Sequence, residues 1–543
     1  MAYFKEWGND KAKLSKEELA KLKKDGLDII EDIDAYAKQG FASIPKEEWG
    51  HFKWVGMYLQ KPREAGYFMM RVNVPSGILT HEQATTLASI GKDYGRDVID
   101  ITTRQAIQFH WLTVEQLPDI FQRLNNVGLS SVGAAGDITR NITGNPLAGI
   151  DRNELIDTKE IVEDLFHFFQ NNKDFSNLPR KFKISISANI NNASQDRINC
   201  LAFTPAIKVV DGHEVIGFHV KVGGGLSATP YLAEELDLFV RPEEVKDVAV
   251  AVTTIYRDYG YREKRHRARL KFLMAEWGPE KFREKLIEIY GRELLSKGED
   301  QIEEWNGGYF YGVHEQKQEG FSYIGLNVPV GRLNSRELIE LARVSKKYGN
   351  GELRTCTTQN IIIPNIPHKK IDEMLKEEIL KTFSPQPKSF IGYAVSCTGS
   401  EYCNFALVET KAKIKEIAAY LDDQIELDVP VRMSAVGCPS SCGQRHIADI
   451  GLQGSKLKTK ESGMVEAFEV YVGGTLERDE ACFNQKLIGR IPVSRIQEVL
   501  KDLLLFFKEE KNTGESFYYF VQRVGIEAVQ EKLDEALFVV NHR

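Results

Sequence analysis

The sequence predicts an α/β (α+β) protein folded about a pseudo-twofold axis. Three observations carry this reading: an internal duplication at a fixed offset, the same order of strand and helix signals in both copies, and enough chain around them for further domains. At 543 residues and about 150 residues per domain, three to four domains are expected. Hydrophobic residues make up 42% and charged residues 27%, which excludes disordered, collagen-like and coiled-coil chains. Several cores can be buried, so no disulfide or metal is needed merely to hold the fold.

Residues 1–51 read as a helical arm, because Glu17–Gly40 combines helical periodicity with high charge. The first repeat spans 52–130. It opens on an alternating strand from Phe68 to Val74 and continues through a helix over LASIGKDYG, capped by Thr80 with Gln83. Two short strands follow, around Val98–Thr103 and Ala106–Trp111, and then a helix from Val114 to Asn126. The second repeat spans 308–385, with a strand from Tyr323 to Val328, an Asn334–Glu337 cap and a helix over LARVSKKYG. Val72-Asn73-Val74-Pro75-Ser76-Gly77 maps onto Leu326-Asn327-Val328-Pro329-Val330-Gly331 at an offset of 254, and Tyr94-Gly95 onto Tyr348-Gly349. One inserted residue later, Thr102-Thr103-Arg104-Gln105 maps onto Thr357-Thr358-Gln359-Asn360. This sets Arg104 opposite Gln359, as Arg71 is opposite Gly325, and suggests one active face and one supporting face. The repeats are expected to pair in the centre, flanked by two larger α/β lobes at 131–300 and 386–543. In the first lobe Tyr261–Lys271 is densely basic on an expected helix: either a solvated face or a cradle for a polyanion.

Net charge is −7, with no global basic field, so a dedicated nucleic-acid binder is not expected. The N-terminal stretch lacks an apolar segment with a small-residue cleavage site, and no run of about 18 apolar residues suggests a membrane span. Seven cysteines do not form a secreted disulfide framework. A cytoplasmic setting is expected.

Four cysteines fall in two clusters, Cys397 with Cys403 and Cys438 with Cys442: C-x5-C, then 34 residues, then C-x3-C. Four thiolates suit zinc or an iron–sulfur cluster. The x5 gap fits zinc knuckles less well and a wider cluster better, and both clusters lie in loops rich in Gly, Ser and Pro, where free backbone NH groups can donate to sulfur. Zinc remains the rival on spacing alone. Cys200, Cys356 and Cys482 are isolated and read as buried apolar residues.

With the duplication, Val472-Gly473-Gly474 and the late GESFYYFVQRVG stretch, these cysteines resemble those of the sirohaem-dependent nitrite and sulfite reductases. The likeness runs from about Phe52 to Gly525. It implies two ferredoxin-like half-domains and two lobes holding sirohaem and a [4Fe–4S] cluster in the crevice between them. Cys397, Cys403, Cys438 and Cys442 would hold the cluster, with Cys442 also the axial ligand of the sirohaem iron. Arg104 in TTRQ, Arg140 in GDITRN, and Lys181 and Lys183 in LPRKFK would form the oxyanion site over the haem, where cations orient substrate and supply protons. Arg267, Arg269 and Lys271 would pair sirohaem carboxylates. Ser440 departs from the family pattern, which has Asn after the Pro of the C-x3-C loop.

A lysine at position 183 resembles the sulfite reductases, so the expected activity is six-electron reduction of sulfite to sulfide; the alternative is reduction of nitrite to ammonia by the same cofactors. No strand–GxGxxG–helix unit is present, so electrons must come from a partner. Ferredoxin is expected, with a flavoprotein as the alternative, and the enzyme is expected to be a monomer. A competing class, an iron–sulfur carrier or zinc-stabilised binding module, would not need the four cations.

Overall fold

The structure, a computed structural model, describes residues 13–459 and 463–542; the first twelve residues of the predicted arm lie outside them. The centre holds two five-stranded sheets. In the first, Met57–Leu59, Phe68–Val72, Ile107–Leu112 and Ile99–Ile101 are completed by Arg332–Leu333 of the second repeat. In the other, Gly312–Glu315, Phe321–Leu326, Ile361–Pro367 and Leu353–Thr355 are completed by Ile78–Leu79 of the first. Each repeat therefore closes its partner's sheet. Helices His81–Asp93 and Ser335–Tyr348 start at the predicted capping boxes of Thr80/Gln83 and Asn334/Glu337 and bury their apolar faces in one core shared by both repeats.

The structure corrects the alignment of the two copies. Strands Ile99–Ile101 and Leu353–Thr355, and the starts of Ile107–Leu112 and Ile361–Pro367, keep the 254 offset with no insertion. Gln105 and Gln359 both adopt left-handed backbone, φ 58° and 67°. Gln105 Nε2 donates to Thr355 O at 3.1 Å, and Gln359 Nε2 donates to Ile101 O at 2.9 Å. These reciprocal bonds make Gln105 the counterpart of Gln359, and Arg104 that of Thr358. The shared TT dipeptide had pulled the sequence alignment one residue out of register.

A second duplication, not read from the sequence, builds the lobes. Each has short parallel strands leading into a long antiparallel hairpin: Ile184–Ile186 with Leu201–Val210 and His213–Val222 in one, Met433–Val436 with Ile450–Thr459 and Gly463–Val472 in the other. Each lobe has its own apolar core. On the axis between them Gln195 and Gln444, both left-handed, exchange amide hydrogen bonds of 2.9 and 2.6 Å.

Two elements differ from expectation. The arm is two helices, Lys16–Lys23 and Ile29–Gln39, rather than one. The basic stretch is not helical: after Gly260 it runs extended, makes one short turn at Arg265–Arg267, and a helix begins only at Leu270. Like charges packed along one helical face repel, and here the chain spreads them. Arg262 turns inward to Glu18 at 2.7 Å and Arg265 to buried Asp137 at 2.5 Å. Lys21 also approaches Asp137, at 3.6 Å, which docks the arm on the first lobe.

Candidate functional site

The cysteine loops leave the C-terminal ends of neighbouring parallel strands. Ala394–Ser396 runs directly into Cys397, and Met433–Val436 runs through Gly437 into Cys438. Gly437 N donates to Cys397 Sγ at 3.2 Å, and Thr410 Oγ1 lies 3.6 Å from it, the NH-to-sulfur donation expected of these loops. Gly443, after Cys442, packs so tightly that a Cβ there would lie 2.8 Å from Cys397 N. Burial pushes the Cys397 thiol up to about 12 and raises Cys403 too; Cys442 adds to both shifts and Cys438 to that of Cys403. A metal must therefore displace protons to bind there. A single zinc would draw its sulfurs to about 3.8 Å of one another. Among the described residues no three of these cysteines converge within 4.8 Å; four thiols on two loops are the donor set of an iron–sulfur cluster as well as of zinc.

The first repeat holds these loops from the other side. Thr103 Oγ1 donates to Cys442 O at 3.0 Å, and Gln108 Nε2 to Thr398 Oγ1 at 3.0 Å. Ser396 N donates to Gln359 Oε1 at 2.9 Å. Buried Asp100 anchors the arrangement: Arg332 reaches it at 2.8 and 3.0 Å, His110 at 3.0 Å and Lys411 at 3.5 Å, and these partners hold its carboxyl far below the usual range despite burial. Tyr402, next to Cys403, stacks on His110 with centroids 3.8 Å apart.

Cys397, Ser440 and Cys442 line one wall of a cavity of about 130 Å³ between the lobes. Arg104, Arg140, Lys181 and Lys183 line it too, together with Arg71, Arg269 and Lys411. Against these seven cations stands one acid, Asp100, already engaged by its partners. Arg104 is held by Asn199 Oδ1 (2.8 Å), Asn141 O (2.6 Å) and Ile184 O (3.1 Å). Arg140 is held by Gly136 O through Nε (3.1 Å) and Nη2 (2.7 Å). Arg71 and Arg140 both donate to Ala134 O, so two guanidiniums crowd one carbonyl. Burial first, and then neighbouring cations, lower Arg104 to about 9, Lys181 to about 7, Arg140 below an ordinary arginine and Lys183 well below an ordinary lysine.

The three candidates for carboxylate pairing separate. Arg269 lines the cavity, where its Nη2 donates to Cys200 Sγ at 3.1 Å. Lys271 turns behind the wall and clamps its loop through Leu226 O (2.9 Å) and Ser227 Oγ (3.2 Å). Arg267 is exposed, over the Phe272 ring. Sequence reasoning registered Arg71 only as a difference between repeats and missed Asp100 and Lys411. An acid in the apolar strand Ile99–Ile101 was the one available signal for the hub.

Family models match most of the chain. The nitrite and sulphite reductase 4Fe-4S domain matches residues 135–294 and 389–539, and the nitrite/sulfite reductase ferredoxin-like half domain matches 60–127 and 314–378. The chain belongs to the nitrite/sulfite reductase family and is an enzyme. It is 42% identical to the ferredoxin–nitrite reductase of Synechococcus elongatus over 91% of this chain and 96% of that one. It is 38% identical to the assimilatory ferredoxin-dependent nitrite reductase of Haloferax mediterranei, over 95% and 93%. The Mycobacterium tuberculosis NirA protein superposes with a TM-score of 0.90 at 33% identity, over 95% and 97%. No helix among the described residues is long and apolar enough to cross a membrane.

The family's cofactors are sirohaem and a [4Fe–4S] cluster, and the residues present fit both. Four thiols lie on two loops that leave neighbouring parallel strands. Arg71, Arg104 and Arg269 line a cavity whose single acid, Asp100, is already engaged by Arg332 and Lys411, so the carboxylates of a polycarboxylate tetrapyrrole would meet cations there.

Proposed function

We propose that this enzyme reduces nitrite to ammonia with six electrons drawn singly from reduced ferredoxin. Cys397, Cys403, Cys438 and Cys442 are assigned to the cluster and Cys442 also to the sirohaem iron, with Arg269 and Arg71 facing the macrocycle's carboxylates. When bound, the two groups supply the electron transfer and storage that no side chain can. The chain's own residues supply the rest. Arg104 and Arg140, fixed by backbone carbonyls, present rigid cations to an anionic substrate. Lys181, with a pKa near neutrality, can deliver protons as oxygen leaves as water. The observation that carries the reading is the convergence of Arg104, Arg140, Lys181 and Lys183 on one cavity with Cys442 in its wall.

The choice of nitrite over the sulfite expected from sequence rests on the likeness to ferredoxin-dependent nitrite reductases, and the burial of Lys183 weakens the case for sulfite. That case needed charge at Lys183, but burial first, then Arg104, Lys181 and Arg269, drive its amine toward the neutral form. Sulfite stays as the second reading because Lys183 does line the cavity. Anaerobic steady-state rates on both anions decide: kcat/KM at least about tenfold higher for nitrite is expected, a difference of about 1.4 kcal/mol, and the reverse order reinstates sulfite. In Lys183→Asn the ratio of the two efficiencies should change less than about threefold; a large swing toward nitrite would show that Lys183 acts as a charge after all.

A further inference from the structure

A second recess, of about 330 Å³ and lined by no cysteine, lies between the first-lobe sheet and second-lobe residues Leu476, Arg478 and Asp479. Strands of one sheet bring His219, Glu235 and Asp300 together in it. One ligand atom from each converges within 4.8 Å, the only such set of His, Cys, Asp and Glu among the described residues.

His219 is 1% exposed. Its Nε2 lies 3.1 Å from both the N and the O of Gly298, while its Nδ1 is buried with no hydrogen-bond partner. The nearest carboxylate oxygen, Glu235 Oε2, is 3.7 Å away. That is too far for a hydrogen bond but close to the separation, about 3.4 Å, of two ligands each about 2.1 Å from one tetrahedral ion. A metal at Nδ1 requires the tautomer in which Nε2–H donates to Gly298 O, as in metal-bound histidines, in place of the one in which Nε2 accepts from Gly298 N.

The second lobe supplies an internal control. By strand register Glu469 stands where His219 does, and Lys486 where Glu235 does. There the pair closes directly at 2.8 Å, with Arg490 at 3.4 Å. In the first lobe the same positions are gapped and a further acid is added. Of the rim cations Lys221 pairs with Asp196 at 2.5 Å. Lys297 holds Glu235 through Oε1 at 2.9 Å, while Oε2 is the oxygen that faces His219, and Arg478 stands 3.9 Å from Asp300, so an ion there shares its carboxylates with these two side chains.

We propose that His219, Glu235 and Asp300 bind a divalent cation of the zinc or manganese class, the choice that one imidazole and two carboxylates favour. The ion ties the connector between the two halves to the first-lobe sheet: Asp300 is followed by Glu304, which pairs with Asn191, and by Trp305 in the interlobe apolar cluster.

The test uses enzyme fully loaded with both cofactors, so that the cysteines are not free to take up metal. After chelator treatment it is dialysed against Zn2+ or Mn2+ up to roughly 100 µM, and bound metal is counted by mass spectrometry. Wild type is expected to hold one equivalent more than His219→Ala and Glu235→Gln, and its melting temperature should rise with added metal while theirs do not. Glu235→Gln, at a half-buried position, keeps the test valid if His219→Ala misfolds, and unchanged sirohaem absorption reports the fold of each. Equal metal content in wild type and Glu235→Gln, or no retention of either metal by wild type, overturns the proposal.

Discussion

The two halves of this chain share a scaffold and differ in what they put at equivalent points. Backbone pairing makes Asn145, Asp151, Asn189 and Ala193 the counterparts of Cys397, Cys403, Cys438 and Cys442: the bonds Asp151 N to Leu147 O and Leu155 N to Ala188 O recur as Cys403 N to Gly399 O and Leu407 N to Gly437 O. Where the second half gathers thiols, the first closes on itself. Asn189 donates to Asp151 at 2.7 Å and Asn145 to Asn191 at 2.8 Å. The crevices show the opposite asymmetry. The counterpart of Lys183 is Arg432, neutralised by Asp449 at 2.6 Å and covered by Trp305. Thr358 stands for Arg104, and Tyr309 helps reduce that crevice to about 30 Å³. A duplicated fold thus supplies two crevices and two loop sets. The cationic site combines one crevice with the other half's loops, and that is why it lies on the seam.

Substitutions that make the halves alike test this. Cys442→Ser should lower activity by on the order of a thousandfold or more, about 4 kcal/mol of barrier, with altered cofactor absorption. Ala193→Ser at the matching point should leave both unchanged. Arg104→Thr, which copies Thr358, should cost about a hundredfold in kcat/KM, the usual effect of losing one preorganised group at a developing charge; a loss under threefold would remove Arg104 from the oxyanion site. The pH profile gives a smaller and graded effect. If protonated Lys181 donates, its active fraction falls about tenfold per pH unit above its pKa. The alkaline limb of kcat/KM should then begin at about 7 or somewhat higher once an anion sits beside it, and Lys181→Arg should push the limb upward. A limb that stays put assigns the proton to another group. Smallest of all, Asn189→Ala should cost about 1–3 kcal/mol of stability by stripping a partner from buried Asp151, read as a lower melting temperature at unchanged cluster content.

The comparison also explains what the sequence could reveal. The central repeats were visible because their turns demand particular residues: Pro75 with Gly77 and Pro329 with Gly331 punctuate the same bend, and the caps at Thr80 and Asn334 need short polar side chains. The lobe duplication was not, because its constraint is backbone pairing in long hairpins, which many apolar sequences satisfy; Gln195 and Gln444 are identical but isolated. The cysteines announced themselves by type and spacing. Asp100 and Arg71 did not, because their roles depend on partners remote in sequence: Lys411 and Arg332, both more than two hundred residues away, for one, and the Ala134 carbonyl, 63 residues on, for the other. The basic stretch misled because charge density gives no period, and its fate was set by the buried acids Glu18 and Asp137.

The exchange of Ile78–Leu79 and Arg332–Leu333 between the central sheets joins the fates of the two halves. Trimming away the half whose crevice is plugged would remove the cysteine loops and, in the same cut, strip an edge strand from the first central sheet and lay open the apolar layer the two repeats share. Neither half can be shortened to its own share of the site without unpairing the other.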